Sequence, residues 1–430
     1  MLTDHYELTM VEAALRSGTA DRRSTFELFA RGLPPGRRYG VVAGAGRMLD
    51  ALASFRFEPG DIAYLRDHGV VDEETITWLS GYRFTGDIWG YGEGDVYFPG
   101  SPVLVVESSF AEGVLLETLL LSILNHDSAV ASAAARMTSA AADRPCIEMG
   151  SRRTHERAAV AAARAAYIAG FATTSNLRAG LEYGVPTAGT SAHSFTLVHD
   201  TEREAFQAQV DSLGRGTTLL VDTYDIREAV RAAVEVAGPE LGAVRIDSGD
   251  LAVLARRVRT QLDELGAPKT RIVVTGDLDE FSIAALAAAP VDGYGVGTSL
   301  VTGSGHPTCG FVYKLVARAA SSSPDAELLP VAKRSTRKRS IGGRKWALRR
   351  RSADGVAEAE VLGIGEPPAN DGDDRPLLLP LVRGGEIVGR ETLAAARERH
   401  RAALAELPVE ARKLSHGEPA IDTEYLGGRA

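Results

Sequence analysis

TLLVDTYD (218–225), AVRIDSGDL (243–251), RIVVTGDLDE (271–280) and DGYGVGTSL (292–300) share one design: a short apolar run that breaks into acid, glycine or hydroxyl residues. Ala- and Leu-rich stretches long enough for a helix separate them, so the unit recurs every ~25 residues, as parallel βα units require. Within 250–265, Leu251, Leu254, Val258 and Leu262 fall at helical spacing, a face suited to packing on a sheet. In α/β barrels and open α/β sheets, ligands sit at the C-terminal ends of the strands. Here those ends supply Asp222, Arg245, Asp247, Gly249, Gly276, Asp277, Gly295, Gly297 and Thr298. Carboxylates for hydroxyls or a metal, with glycines and a threonine for phosphate, suit a phosphorylated sugar.

Outside this core the pattern changes. Residues 7–18 and 45–53 read as helices, 25–46 as two strands around a Pro-Pro-Gly turn, and 85–107 as antiparallel strands. A long helix is expected over 112–142, followed by βα units to about residue 316. Beyond it, SSSPDAE (321–327) reads as a loop, 365–376 as a polar linker, LLLPLVRGGEIV (377–388) as a strand pair around Gly-Gly, and 391–406 as a charged helix. The expected architecture is an irregular (β/α) barrel over 111–316. Residues 1–110 and 317–430 are expected to form one α/β sandwich from both chain ends.

The 430 residues exceed one ordinary core, in line with two domains. A net charge of −9 argues against general nucleic-acid binding, which depends on neutralising phosphates. The segment 331–351 carries ten basic residues and no acid. In so acidic a chain it reads as a solvated β-hairpin touching nucleotide phosphates rather than as a nucleic-acid patch. Cys146 and Cys309 are too few for a disulfide framework and are expected to be reduced and structural. The start MLTDHYELTM lacks a signal-peptide pattern. The apolar run VLLETLLLSIL (114–124) is too short for a bilayer, so the expectation is a cytoplasmic protein without a membrane partner.

Each candidate site residue has a plain alternative. GYGVGTS (293–299) offers backbone N–H groups and the Thr298 hydroxyl to a phosphate, where a lone motif would be an ordinary turn. Asp222 and Asp247 at successive strand ends suit ribose hydroxyls, Mg²⁺ or a cationic transition state; Asp225 and Asp250 read as helix caps. Arg245 inside a strand needs an anion, whether a ligand or a neighbouring aspartate. Arg152 and Arg153 in EMGSRRTHE (148–156) form a pair suited to pyrophosphate, against the alternative of a solvated basic face. His193 in VPTAGTSAHSFT (185–196) sits among small residues that let a phosphoryl group approach its imidazole.

TDHYELTM (3–10), ETLLLSILN (117–125), EMGSRRTH (148–155), TTSNLRAG (173–180), GTSAHS (189–194), VDTYD (221–225), RIDSGDL (245–251) and GVGTSLVTG (295–303), in this order, resemble nicotinate phosphoribosyltransferase. The resemblance implies a type II phosphoribosyltransferase that joins nicotinate to phosphoribosyl pyrophosphate in NAD salvage. It further implies ATP hydrolysis through a transient phosphohistidine, Mg²⁺, and a homodimer with a shared active site. By matching motif, His193 would be the phosphorylated histidine and Tyr6 would stack on the pyridine ring from the partner chain. Arg245 would face the nicotinate, and Asp222 and Asp247 would lie near ribose, Mg²⁺ and phosphohistidine. Gly276 and Asp277 would line the ribose, Gly297 with Thr298 would bind the 5′-phosphate, and Gly249 and Gly295 are further substrate-binding candidates at the strand ends. Arg152 and Arg153 would meet pyrophosphate or phosphate, and Ser175 and Asn176 would border the base. The family often has a lysine where AVASAAARM (129–137) offers only Arg136. The rival readings are the same chemistry on nicotinamide and a non-catalytic nucleotide-binding barrel.

Overall fold

The four strand ends that opened the sequence reading belong to one parallel sheet. In the computed structural model, which describes residues 1–323, 325–333 and 340–427, its six strands run in the order Thr173–Thr174, Cys146–Glu148, Gly293–Val296, Arg271–Val274, Ala243–Ile246, Thr218–Leu220. The two outermost strands do not pair with each other, so the expected barrel is an open half-barrel. Register places Arg245 between Leu220 and Val273 of its neighbours, which aligns the strand ends that carry the polar residues. A helix follows each of the four strands, and Asp225, Asp250 and Asp279 cap three of them by accepting the N–H three residues on. Ile226–Ala237 buries Ala229, Val230, Ala233, Val234 and Ala237, the helical spacing that seats it on the sheet.

These strands lie in a compact unit of Val130–Pro307; the other unit combines Met1–Ala129 with Thr308–Ala430. Its seven-stranded sheet is ordered Leu328–Pro330, Phe311–Ala319, Arg23–Ala30, Leu104–Ser109, Asp87–Gly90, Leu379–Arg383, Glu386–Ile387. Strands from both chain ends are thus interleaved, with Phe26 stacked on Tyr313 at a ring separation of 4.9 Å. A four-stranded sheet of Arg375–Pro376, Lys345–Arg351, Ala357–Ile364 and Asp422–Leu426 packs against it through Trp89–Trp346 and Tyr91–Glu360 contacts.

Four local expectations need correction. The strands in 25–46 do not form a hairpin: Arg23–Ala30 pairs with Leu104–Ser109 and Phe311–Ala319, and Gly40–Val41 pairs with Val96–Tyr97. The helix expected over 112–142 is two, Phe110–Val114 and Glu117–Ala141, interrupted at Leu115–Leu116. By length and composition the whole Phe110–Ala141 stretch is apolar enough to cross a membrane, which the shorter 114–124 run did not suggest. Of its most apolar part 67% is buried in the protein, as in a core helix.

The basic run is the fourth. Residues 334–339 lie outside the described residues, and Lys345–Arg351 does form an antiparallel hairpin with Ala357–Ile364. Solvation is what fails: Arg344, Lys345 and Arg349 are buried and paired to Glu107, Glu27 and Glu360. Cys146 and Cys309 are free and buried, and burial pushes the Cys146 thiol up to about 12, which keeps it unreactive.

Candidate active site

His193 opens the short helix His193–Leu197, after a loop of small residues, and its Nε2 lies 3.3 Å from Asp222 Oδ1. The imidazole is 40% exposed and the Asp222 side chain 2%, so a buried carboxylate orients a ring that solvent-borne ligands reach. The other Asp222 oxygen accepts the Asp247 N–H at 2.9 Å and the Ser248 hydroxyl at 2.8 Å. Asp247 in turn accepts from the Thr275 hydroxyl. The two aspartates singled out at successive strand ends are therefore linked, and neither serves as a helix cap.

Arg245 is half-buried and donates through Nη1 to the Thr190 hydroxyl, in the histidine loop. Its Nε is buried without a hydrogen-bond partner among the described residues. Burial lowers its pKa, the Asp247 and Asp222 carboxylates raise it, and Arg152 pushes it down again. The two arginines and two aspartates thus share one electrostatic neighbourhood. A hydroxyl and two nearby carboxylates hold Arg245 and leave its fork able to take a planar anion.

Arg152 and Arg153 stand exposed on the single turn Ser151–Arg153. Ser175 is exposed, while Asn176 is committed: its Oδ1 caps Leu177–Tyr183 by accepting the Ala179 N–H at 3.0 Å, and its Nδ2 donates to Ser151 Oγ at 3.0 Å. Gly249 and Gly276 adopt φ of +87° and +132°, which favour glycine. Gly295 is buried, and a Cβ there would fall 2.5 Å from Thr275 Cγ2, so its small size serves packing. Gly297 and Thr298 are half-buried at the strand end and Asp277 is exposed. Tyr6 lies in the other unit, 46% exposed on His5–Arg16, while the adjacent Glu7 is buried and accepts the Thr118 N–H at 3.0 Å. Arg136 is buried against Glu280 at 2.9 Å.

Thr190, Ser248, Thr275 and Glu202 were not singled out by the sequence reading, because a lone hydroxyl or a helix-start glutamate carries no distinguishing spacing. Glu202 begins Glu202–Leu213, and its Oε1 is buried without a partner among the described residues. Burial, then the Asp222 and Asp225 carboxylates, push its pKa up from 4.5 to about 7. The folded chain therefore holds this proton more tightly than the unfolded chain, and between about pH 4.5 and about pH 7 its contribution to stability falls as pH rises. Glu202→Gln is expected to flatten that slope and to be the more stable protein above about pH 7 in urea titrations. An unchanged slope would mean that the carboxyl is effectively solvated.

Comparison with known proteins gives the framework first. The fold matches the crystal structure of human nicotinic acid phosphoribosyltransferase with a TM-score of 0.84 and 26% identity, covering 99% of this chain and 98% of that one. Residues 1–125 match the model of the nicotinate phosphoribosyltransferase N-terminal domain. Over 99% of its length the chain is 61% identical to nicotinate phosphoribosyltransferase pncB1 of Mycobacterium tuberculosis, covering 95% of that protein. It is 41% identical to pncB2 of the same organism over 96% of this chain and 89% of that protein. The chain belongs to the nicotinate phosphoribosyltransferase family.

Proposed function

We propose that this chain joins nicotinate to phosphoribosyl pyrophosphate, forming nicotinate mononucleotide and pyrophosphate for NAD salvage in the cytoplasm, with ATP hydrolysis coupled through His193. The names of its relatives support the substrates. The observation that carries the coupling is the His193 imidazole held 3.3 Å from a buried aspartate beside Arg245 and Asp247. An ionised carboxylate only accepts, so Nε2 carries the proton and Nδ1 keeps the lone pair. Nδ1 attacks the terminal phosphorus of ATP, the bond to the bridging oxygen breaks, and ADP leaves. Asp222 stabilises the positive charge that develops on the ring.

In the transfer itself the pyridine nitrogen is already nucleophilic and needs no protein base. It attacks the anomeric carbon as the bond to pyrophosphate breaks. Arg245 takes the nicotinate carboxylate with its half-buried fork, and Arg152 and Arg153 receive the leaving pyrophosphate. The backbone of Gly297 and the Thr298 hydroxyl hold the 5′-phosphate, and the strand-end turns at Gly249, Gly276 and Asp277 face the ribose. Tyr6 from a second copy of the chain stacks on the pyridine ring, which makes the working form a homodimer.

Among the described residues no group of three His, Cys, Asp or Glu side chains is arranged to hold a metal alone. Mg²⁺ brought in on pyrophosphate would need only one or two protein carboxylates. Asp247 would hold it better than Asp222, whose two oxygens are engaged by His193, the Asp247 N–H and Ser248. Held there, Mg²⁺ would supply charge neutralisation for the departing pyrophosphate.

The test is nicotinate mononucleotide formation from nicotinate, phosphoribosyl pyrophosphate and Mg²⁺, with and without ATP, with nicotinamide in parallel. Product from nicotinate, raised by ATP with release of ADP, is the expected result. Product from nicotinamide alone would overturn the substrate, and product from neither base would leave a nucleotide-binding protein.

A further inference from the structure

The turn that carries Arg152 and Arg153 and the loop that carries Ser175 and Asn176 meet on one buried carboxylate. Glu148, at the end of the Cys146–Glu148 strand, is 0% exposed. One of its oxygens accepts the Gly150 N–H and the other accepts from the Thr174 hydroxyl. Its carbonyl accepts the Ser175 N–H at 2.8 Å. The Thr174 hydroxyl oxygen also accepts the Asn176 N–H at 2.9 Å, and Asn176 reaches Ser151 across the two loops at 3.0 Å.

Space is as constrained as hydrogen bonding. A Cβ on Gly150 would fall 2.2 Å from Val301 Cγ1 and 3.0 Å from the Gly297 carbonyl oxygen, so the arginine turn sits directly against the Gly297–Thr298 loop. Met149 N–H donates to Val296 O at 2.8 Å, which fixes the strand on that side. Burying a carboxylate is costly unless donors converge on it, and burial does raise the Glu148 carboxyl pKa while the Thr174 and Gly150 bonds oppose the rise. A core that needed only packing at this position would take an apolar side chain.

We propose that Glu148 is a positioning residue for the transferase reaction: it sets the arginine turn and the Ser175–Asn176 loop in one register, so that the phosphorylated sugar and the base are held in matching places. The assignment rests on the leaving-group role proposed for Arg152 and Arg153, and on the family resemblance that sets Ser175 and Asn176 beside the base. Thr174 is the branch of the same device that serves the base side alone.

Four variants of the full chain test it: Glu148→Met, Glu148→Gln, Thr174→Val and Thr174→Ser, each assayed for kcat and both KM values, with calorimetric titration of phosphoribosyl pyrophosphate. Glu148→Met, similar in volume, leaves the Gly150 N–H without an acceptor and is expected to raise both KM values about tenfold, with a smaller fall in kcat. Glu148→Gln should do less, because its oxygen still serves the Gly150 N–H. Thr174→Val should raise the nicotinate KM alone, and Thr174→Ser, which keeps the hydroxyl, should restore it.

A folded Glu148→Met protein with both KM values within about twofold of the parent overturns the proposal, as does a loss of kcat alone. If Glu148→Met fails to fold, the Thr174 pair decides, and equal nicotinate KM values for Val and Ser overturn it. Lack of nicotinate mononucleotide from the unaltered chain would sink the functional reading instead. The calorimetry then still judges Glu148: about tenfold weaker binding in Glu148→Met, with a smaller loss in Glu148→Gln, supports the positioning role, and unchanged binding in Glu148→Met ends it.

Discussion

Replacing His193 with alanine is expected to abolish ATP-stimulated turnover and leave a slow transfer that ignores ATP. The imidazole is the one protein nucleophile in the proposed chemistry, so ADP release should fall to background, a loss of about 10²-fold or more. Binding groups for both substrates remain, which is why basal nicotinate mononucleotide formation should persist. The companion Asp222→Asn removes the charge that fixes the ring proton on Nε2, while its amide still fills the 2%-exposed position. It should lower ADP release by about 10²-fold through the wrong tautomer and a less stable cationic ring. ADP and nicotinate mononucleotide measured together distinguish the cases. ADP release at the parental rate in His193→Ala would move the phosphoryl acceptor to another residue.

The second large effect concerns the sandwich unit. Glu360 and Arg349 are both 0% exposed and face each other across an antiparallel pair, joined at 2.8 Å. The carboxylate also accepts from Tyr91 at 2.7 Å and from Ser101, and the guanidinium donates to the Val96 carbonyl at 3.0 Å and lies over Phe98. Glu360→Ala leaves a buried guanidinium without its ion-pair partner, with Asp95, already joined to Arg375, as the nearby carboxylate; the expected loss is about 3–5 kcal/mol of unfolding free energy. The double variant Arg349→Met/Glu360→Leu removes both charges and is expected to recover most of that loss. Urea titrations followed by tryptophan fluorescence check both. A single variant within about 1 kcal/mol of the parent would show that water or a rearranged partner reaches the guanidinium.

The parallel sheet was readable because its signal is local. A strand such as AVRI needs only a few apolar residues before an acid, and its helix declares itself by spacing and a capping aspartate. The same locality made Asp222, Asp247 and Arg245 visible as strand-end residues. What was hidden depends on partners far along the chain. Nothing near Lys345 announces that Glu27 will bury it, and RKWALRRR therefore looks like a solvated face. Arg23–Ala30 and Gly40–Val41 looked like a hairpin because a Pro-Pro-Gly turn lies between them, yet each takes distant partners. In the site, Glu148 opens the EMGSRRTHE segment but was passed over for the arginine pair, and Glu202 carries no motif; burial and hydrogen bonding distinguish them. Asn176 could be placed near the right loop, but its use as a helix cap needed the Ala179 N–H in view.

Interleaving the two chain ends has a consequence for birth on the ribosome. Lys345 closes on Glu27 from 318 residues away, and Phe311–Ala319 pairs with Arg23–Ala30 across a similar span. At translation rates of about 5–20 residues per second, the first strand waits on the order of tens of seconds for both. Through that interval Arg23–Ala30 has Leu104–Ser109 beside it on one edge and an unclaimed ladder of N–H and C=O groups on the other. The nascent chain therefore presents a sticky border at the very time its half-barrel is emerging, and dependence on a chaperone during synthesis should be set by how quickly residues 311–319 arrive.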